Sequence, residues 1–217
     1  MRVLMETVGP FEENTYFIVD EESRETAVVD PGDEAPRLLE IVRAEKLKVL
    51  WILNTHAHID HVGAAAELKE ATSAKFHLHP NERLLLEGLR SQAALFGLSC
   101  PAVPSVDGDL AEGQTFHLGS RAVSIRVLET PGHSPGGVTL EAGGSLFVGD
   151  VLFQGSIGRT DLPGGSYEVL MKSITDRILS YPDETRVYSG HGPVTTVGEE
   201  RLTNPFLTSW DPGKAAP

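Results

Sequence analysis

Cysteine is all but missing. Cys100 stands alone among 217 residues, so no disulfide can close within the chain and no cysteine-built zinc module can form. Long hydrophobic runs are missing as well: no stretch of 18 apolar residues occurs, and Glu6, Glu12, Glu13 and Asp20 interrupt the segment where a signal peptide would be continuously apolar. These absences predict a cytoplasmic protein without a membrane span. Basic residues are scarce, 18 Lys and Arg against 31 Asp and Glu for a net charge of −13. Such a chain repels phosphate backbones and anionic lipid, so neither nucleic acid nor a membrane surface is an expected partner. Internal repeats and low-complexity tracts are absent too. What is present, 40% hydrophobic residues over this length, suffices to bury roughly 70% of the unfolded surface in one sizeable domain.

Short apolar or alternating runs bounded by turn residues predict strands at 14–19, 26–29, 48–54, 75–78, 114–118, 122–129, 137–142, 145–148 and 185–189. Between them, helical spacing predicts helices at 34–46 behind an N-cap at Asp33, at 62–71, at 80–96, and at 166–180 behind Ser166. Strands in hairpin-like pairs with helices interspersed fit neither a pure β-sandwich nor a strict βαβ repeat. They predict an α/β protein with two sheets and helices outside them. Ser99 to Gly108 reads as a loop, residues 211–217 as a frayed tail, and the acidic groups at 12–13, 20–22 and 199–200 as solvated surface.

Four strands end in the same way, with a His or Asp within a few residues. The strand at 48–54 runs into Thr55-His56-Ala57-His58-Ile59-Asp60-His61, that at 122–129 into Thr130-Pro131-Gly132-His133, that at 145–148 into Gly149-Asp150, and that at 185–189 into Gly190-His191-Gly192. Imidazole and carboxylate suit borderline divalent ions such as zinc, iron or manganese, and these seven side chains suffice for two ions with positions left open. A lone His after a strand is ordinarily a hydrogen-bonded loop residue. Three imidazoles and a carboxylate within six residues bring no folding benefit and store repulsion unless a cation is present. His77, His79 and His117 lie on alternating strand positions or beside them and are expected outside the site.

The motifs T-H-A-H-I-D-H, P-G-H-S, F-V-G-D and S-G-H-G, in this order over residues 14–206, resemble those of the metallo-β-lactamase fold superfamily. Gly149 to Phe153 with Gly155 to Asp161 is similar to the glyoxalase II (hydroxyacylglutathione hydrolase) branch and its short bacterial relatives. The resemblance implies a four-layer αβ/βα sandwich formed by a single domain over 1–217, without the C-terminal helical domain that contacts glutathione in longer members. It also implies a dinuclear centre: His56, His58 and His133 on one divalent ion, Asp60, His61 and His191 on the other, and Asp150 bridging them. Zinc is the first expectation, with iron or manganese as alternatives. A hydroxide shared by the ions would attack a carbonyl, with Asp60 orienting it.

The expected substrate is a small anionic thioester such as S-lactoylglutathione, because a thiolate leaves without a strong general acid. Arg159 could offer a forked guanidinium to a substrate carboxylate, or pair with Asp161 instead. Tyr188 could present its hydroxyl to the site, or sit in the core. Two other readings stay open, an iron persulfide dioxygenase with the same ligand inventory and a non-enzymatic metal or ligand sensor. A β-lactamase, a nuclease and a flavodiiron oxygen reductase fit less well.

Overall fold

The computed structural model describes residues 1–210; the tail expected to fray from Asp211 lies outside the described residues. The first half of the chain builds one six-stranded sheet in chain order: β1 (Arg2–Val8), β2 (Glu13–Val19), β3 (Glu25–Val29), β4 (Lys48–Leu53), β5 (Lys75–Leu78) and β6 (Gly108–Asp109). The first three strands form an antiparallel meander, and β3 to β6 run parallel. The second half starts with another meander, β7 (Thr115–Leu118), β8 (Val123–Glu129), β9 (Val138–Ala142) and β10 (Ser145–Gly149). After a small hairpin of β11 (Leu152–Phe153) and β12 (Ser156–Ile157), β13 (Arg186–Ser189) joins β10 in parallel and β14 (Thr195–Thr196) closes the second sheet.

Parallel neighbours need crossovers, and helices supply them. In the first half these are α1 (Ala35–Ala44), α2 (Ile59–Val62), α3 (Ala65–Thr72), α4 (Arg83–Glu87) and α5 (Leu89–Phe96); α6 (Tyr167–Ser173) precedes β13, and α7 (Val197–Thr203) and α8 (Pro205–Thr208) follow β14. Strand alternation then sets the layers. On β2, Phe17 and Val19 join a core with Leu38 of α1 and Leu68 of α3, whereas Tyr16 and Ile18 join one with Ile125, Val127 and Phe147 of the second sheet. On β10, Phe147 faces inward while Leu146 and Val148 meet Leu170 and Met171 of α6. Helices, sheet, sheet and helices make four layers, the expected α/β sandwich.

Several local expectations need correction. β1 lies at an edge with only Val8 buried, so its sequence carries little alternation. β6 and β14 are two residues each, too short for a periodic signal. The helix expected over 80–96 opens instead with a 3₁₀ turn at Pro80–Glu82 and is divided at Gly88, and α6 continues into a π turn over Ile174–Ile178. Ser166 caps α6 by accepting the Val169 N–H, whereas Glu34, not Asp33, is the cap residue of α1.

Three acids expected at the surface are buried: Glu13, Asp20 and Glu200. Glu200 accepts hydrogen bonds from the Thr195 hydroxyl (2.6 Å), the Gly155 N–H (2.8 Å) and the Asn204 amide (2.8 Å), which ties α7 to the β11–β12 hairpin. Glu200→Ala strands these buried donors and is expected to lower stability by about 3 kcal/mol. Glu199→Ala on the exposed face is expected to stay within about 0.5 kcal/mol. Urea denaturation midpoints at constant slope check both.

Candidate metal centre

β4 feeds an extended segment that carries His56 and His58, and the chain then turns into α2 with His58 as its cap residue. The change from extended to helical backbone brings Asp60 and His61 to the side of His191, while the His61 ring stays 4.1 Å from that of His56. The other sheet delivers His133 beyond β8, Asp150 directly after β10 and His191 directly after β13. All seven expected ligands therefore meet at one edge of the sandwich, between the sheets. Glycine makes the close approach feasible: a Cβ on Gly190 would stand 2.3 Å from Asp150 Oδ1 and 2.5 Å from His61 Cε1.

Two sets of three side chains each offer donor atoms within 4.8 Å of one another, His56 with His58 and His133, and Asp60 with His61 and His191. Asp150 stands between them, with Oδ1 3.3 Å from His61 Nε2 and Oδ2 3.6 Å from His133 Nε2 and 3.7 Å from His191 Nε2. His58 Nδ1 lies 2.9 Å from His133 Nε2, and Asp60 Oδ2 lies 3.3 Å from His191 Nε2. A third grouping, Asp30 with His56 and His61, is occupied otherwise, since Asp30 already accepts from the Thr55 N–H and hydroxyl, both at 2.6 Å, and faces His61 Nδ1 at 3.1 Å.

The hydrogen bonds behind the rings fix their orientation. His133 Nδ1 donates to the Arg159 carbonyl (2.8 Å) and His191 Nδ1 to the Phe11 carbonyl (3.0 Å), while His56 Nδ1 faces the Thr55 hydroxyl at 3.0 Å. With the outer nitrogen of these three rings engaged, Nε2 is left to point inward, whereas His58 turns Nδ1 inward. His56 Nε2, His61 Nε2 and Asp150 Oδ1 are buried and have no hydrogen-bond partner. Buried polar atoms left in this way are costly, and a cation among them removes the cost. The donor set thus fits two divalent ions of the zinc, iron or manganese type.

The ionisation states of four of the ligands suit the same purpose; for His61 and His191 burial is outweighed by Asp150 and Asp60, which raise them above the usual histidine range, so a bound metal would displace protons there. Burial, reinforced by the neighbouring imidazoles, holds His56 far below the usual histidine range, and burial with His133 nearby brings His58 down to about 4. Burial alone would raise Asp60 and Asp150, but the surrounding histidines, His61 foremost, outweigh it and hold both carboxyls below their usual range. His56 and His58 are neutral and both carboxylates ionised near neutral pH, the forms that bind a metal.

Above this floor opens a cleft of about 560 Å³ that His58, Asp60, His133, Asp150 and His191 line at its base. Arg159 also lines it, but its guanidinium is forked onto Asp161 at 2.8 and 2.7 Å. Tyr188 does not reach the cleft. It stacks on Phe147 at 4.8 Å and meets Tyr16 edge-on at 5.4 Å between the sheets, because its strand position points to the inter-sheet core. His77 sits among Trp51 and Phe116, and His79 caps the 3₁₀ turn.

Three supporting residues escape sequence reasoning. Asp30 directly follows β3, so the strand-then-acid pattern that marks Asp150 marks it as well. Glu82 carries no such signal. It is fully buried, and its carboxylate accepts the Ala57 N–H (2.9 Å) and the Gly136 N–H (2.6 Å), joining the His56–His58 segment to the loop that bears His133. Gln92 adds to this clamp by accepting the Ile59 N–H (2.9 Å) and donating to the Ala57 carbonyl (3.2 Å).

The family model of the metallo-beta-lactamase superfamily matches residues 8–191. The hydroxyacylglutathione hydrolase GloC of Haemophilus influenzae is 38% identical over 96% of this chain and 99% of its own. Among solved structures, the B3 metallo-beta-lactamase BLEG-1 superposes with a TM-score of 0.89 at 39% identity, over 96% of this chain and all of that one. TTHA1623 in a di-iron-bound form does so with a TM-score of 0.85 at 43% identity, over 94% of this chain and all of that one. With ligand-type side chains from both sheets gathered at one edge of a matching sandwich, the chain belongs to the metallo-beta-lactamase superfamily of metal-dependent hydrolases.

Proposed function

We propose that the protein is a dinuclear metal-dependent hydrolase of thioesters. The observation that carries this reading is the pair of three-residue donor sets on either side of Asp150. His56, His58 and His133 would hold one divalent ion and Asp60, His61 and His191 the other, with Asp150 between. Bound there, such ions supply Lewis acidity toward a carbonyl oxygen and acidify water near neutral pH.

The chain's own residues account for the rest. The Asp60 carboxylate, ionised at the base of the cleft, can accept a proton-bearing water and aim it at a carbonyl. Among the described residues no activated side-chain nucleophile stands ready: the Thr55 hydroxyl beside His56 is buried behind the ring and held by Asp30, Ser91 lines the cleft with no basic side chain hydrogen-bonded to it, and Cys100 lies outside this cleft. Attack by water fits that arrangement. A thioester suits it further, because a thiolate needs no strong acid to leave. GloC supports the same class, and the match spans 99% of GloC, which keeps a glutathione thioester among the candidate substrates.

The likeness to BLEG-1 favours β-lactam hydrolysis as a second reading. Metal analysis of the purified protein, with assays on S-lactoylglutathione, nitrocefin and oxygen uptake with a persulfide, separates the readings. Two metal equivalents with thioester cleavage are expected. Nitrocefin cleavage without thioesterase activity, or one iron with persulfide-dependent oxygen uptake, overturns the proposal.

His58→Ala and Asp150→Ala are each expected to reduce thioester cleavage to background and to lower metal content, with the far-ultraviolet circular dichroism unchanged. Glu82→Gln keeps the size of the side chain but turns an amide toward one of two backbone N–H donors. It is expected to weaken metal affinity about 10- to 100-fold, as measured by competition with a chromophoric chelator, while Glu87→Gln on the exposed side of α4 leaves affinity unchanged.

A further inference from the structure

The walls of the cleft differ in character from its floor. Phe11 comes from the loop between β1 and β2, Leu95 and Phe96 from the end of α5, Phe153 and Ile157 from the β11–β12 hairpin, and Leu162 from the segment that follows. Phe11 and Phe96 meet edge-on with ring centroids 5.1 Å apart. The core takes Leu89 and Ala93 from α5, whereas Leu95 and Phe96 remain 73% and 43% exposed. Neither residue serves the interior. Both line a cavity continuous with the histidine floor, which sets them apart from scattered surface hydrophobics.

Charge leads to the same place. Among the described residues lining the cleft, Arg159 is the one lysine or arginine, and Asp161 already occupies it. The adjoining cavity of about 380 Å³, which shares Phe11, Ile59 and Asp60 with the cleft, has no lysine or arginine in its lining and carries Asp33 and Glu67. A substrate tail bearing several carboxylates meets a single guanidinium, Arg159, in an exposed pair with Asp161, and no lysine or arginine in the adjoining cavity. A hydrocarbon tail finds apolar walls within reach of the floor.

Building on the thioesterase reading, we infer that this cleft selects thioesters bearing an apolar aliphatic or aromatic group next to the reacting carbonyl or sulfur, the group packing against Leu95, Phe96 and Phe11. Selection rests on buried apolar area, at about threefold in kcat/KM per methylene.

The test uses the metal-loaded enzyme and two series, glutathione thioesters from acetyl to hexanoyl, and acetyl thioesters from ethanethiol to hexanethiol. In at least one series kcat/KM is expected to climb by about threefold per carbon, on the order of 80-fold over four methylenes. L95S/F96S is expected to cut that ratio at least tenfold. A flat dependence in both series, with thioesters still cleaved, overturns the inference and leaves the thioesterase reading standing. If no thioester is cleaved, the thioesterase reading falls, and calorimetric binding of S-hexylglutathione against S-methylglutathione decides the character of the wall: tighter hexyl binding supports it, equal binding overturns it. A dimer in sedimentation that L95S/F96S dissociates, with the chain-length dependence unaltered, makes the wall an interface between two copies and likewise overturns the inference.

Discussion

Several imidazole rings turned toward one another inside a protein, with buried nitrogens left unpaired, are unfavourable unless a cation stands among them, and this constraint organises one whole edge of the molecule. Left alone, His56 Nε2 has no partner, and His61 Nε2 and Asp150 Oδ1 face each other at 3.3 Å without a well-formed hydrogen bond. The fold does not relieve them by bringing in hydroxyls or amides. It holds them in place instead, with Asp30 behind His61, the Arg159 carbonyl behind His133 and the Phe11 carbonyl behind His191. Rings fixed from behind cannot rotate to find other partners, so the cost is kept in the folded protein until a metal removes it.

Neither sheet can form this centre alone. The first supplies His56, His58, Asp60 and His61, the second His133, Asp150 and His191, and their separation is set by what lies between the sheets. Tyr16, Phe147 and Tyr188 form an aromatic group there, and the Tyr16 hydroxyl donates to the Ser189 carbonyl at 2.6 Å, two residues before His191. Asn14 adds bonds to the carbonyls of Ser189 and Gly192 at 3.1 and 2.8 Å. Packing and positioning are here one function. Tyr188 contributes to the site through the distance it maintains between the layers and makes no contact with the cleft.

The sequence makes some of this legible and hides the rest for physical reasons. His56, His58, Asp60 and His61 can be read because no folding benefit accounts for so many titratable groups in six residues. His133, Asp150 and His191 can be read because each follows a strand and lies beside glycine. Glu82 cannot, since a buried carboxylate whose partners are two backbone N–H groups leaves no trace in side-chain patterns. Acids as a class mislead for the same reason: Glu13, Asp20 and Glu200 look solvated in the sequence, yet the fold encloses each with donors. Two-residue strands such as β6 and β14 have no periodicity to detect, and Gly88 divides a segment whose composition is helical throughout.

The net charge of −13 therefore describes the surface less well than the count suggests. Asp30, Asp60, Asp150, Glu13, Glu82 and Glu200 are enclosed or face the metal centre, where they balance imidazoles, backbone dipoles or bound cations instead of repelling solutes. At the cleft the sign of the whole protein matters little, since its walls are largely apolar and its one guanidinium is paired with Asp161. Two divalent ions on the floor would make the reacting end of the cavity locally cationic while its flanks stay uncharged. Such a site would attract a carbonyl oxygen at one end and remove hydrocarbon from water at the other. On the proposed reading, discrimination among thioesters of similar charge would follow from the shape and area of the walls, and little of it from the field of the protein as a whole.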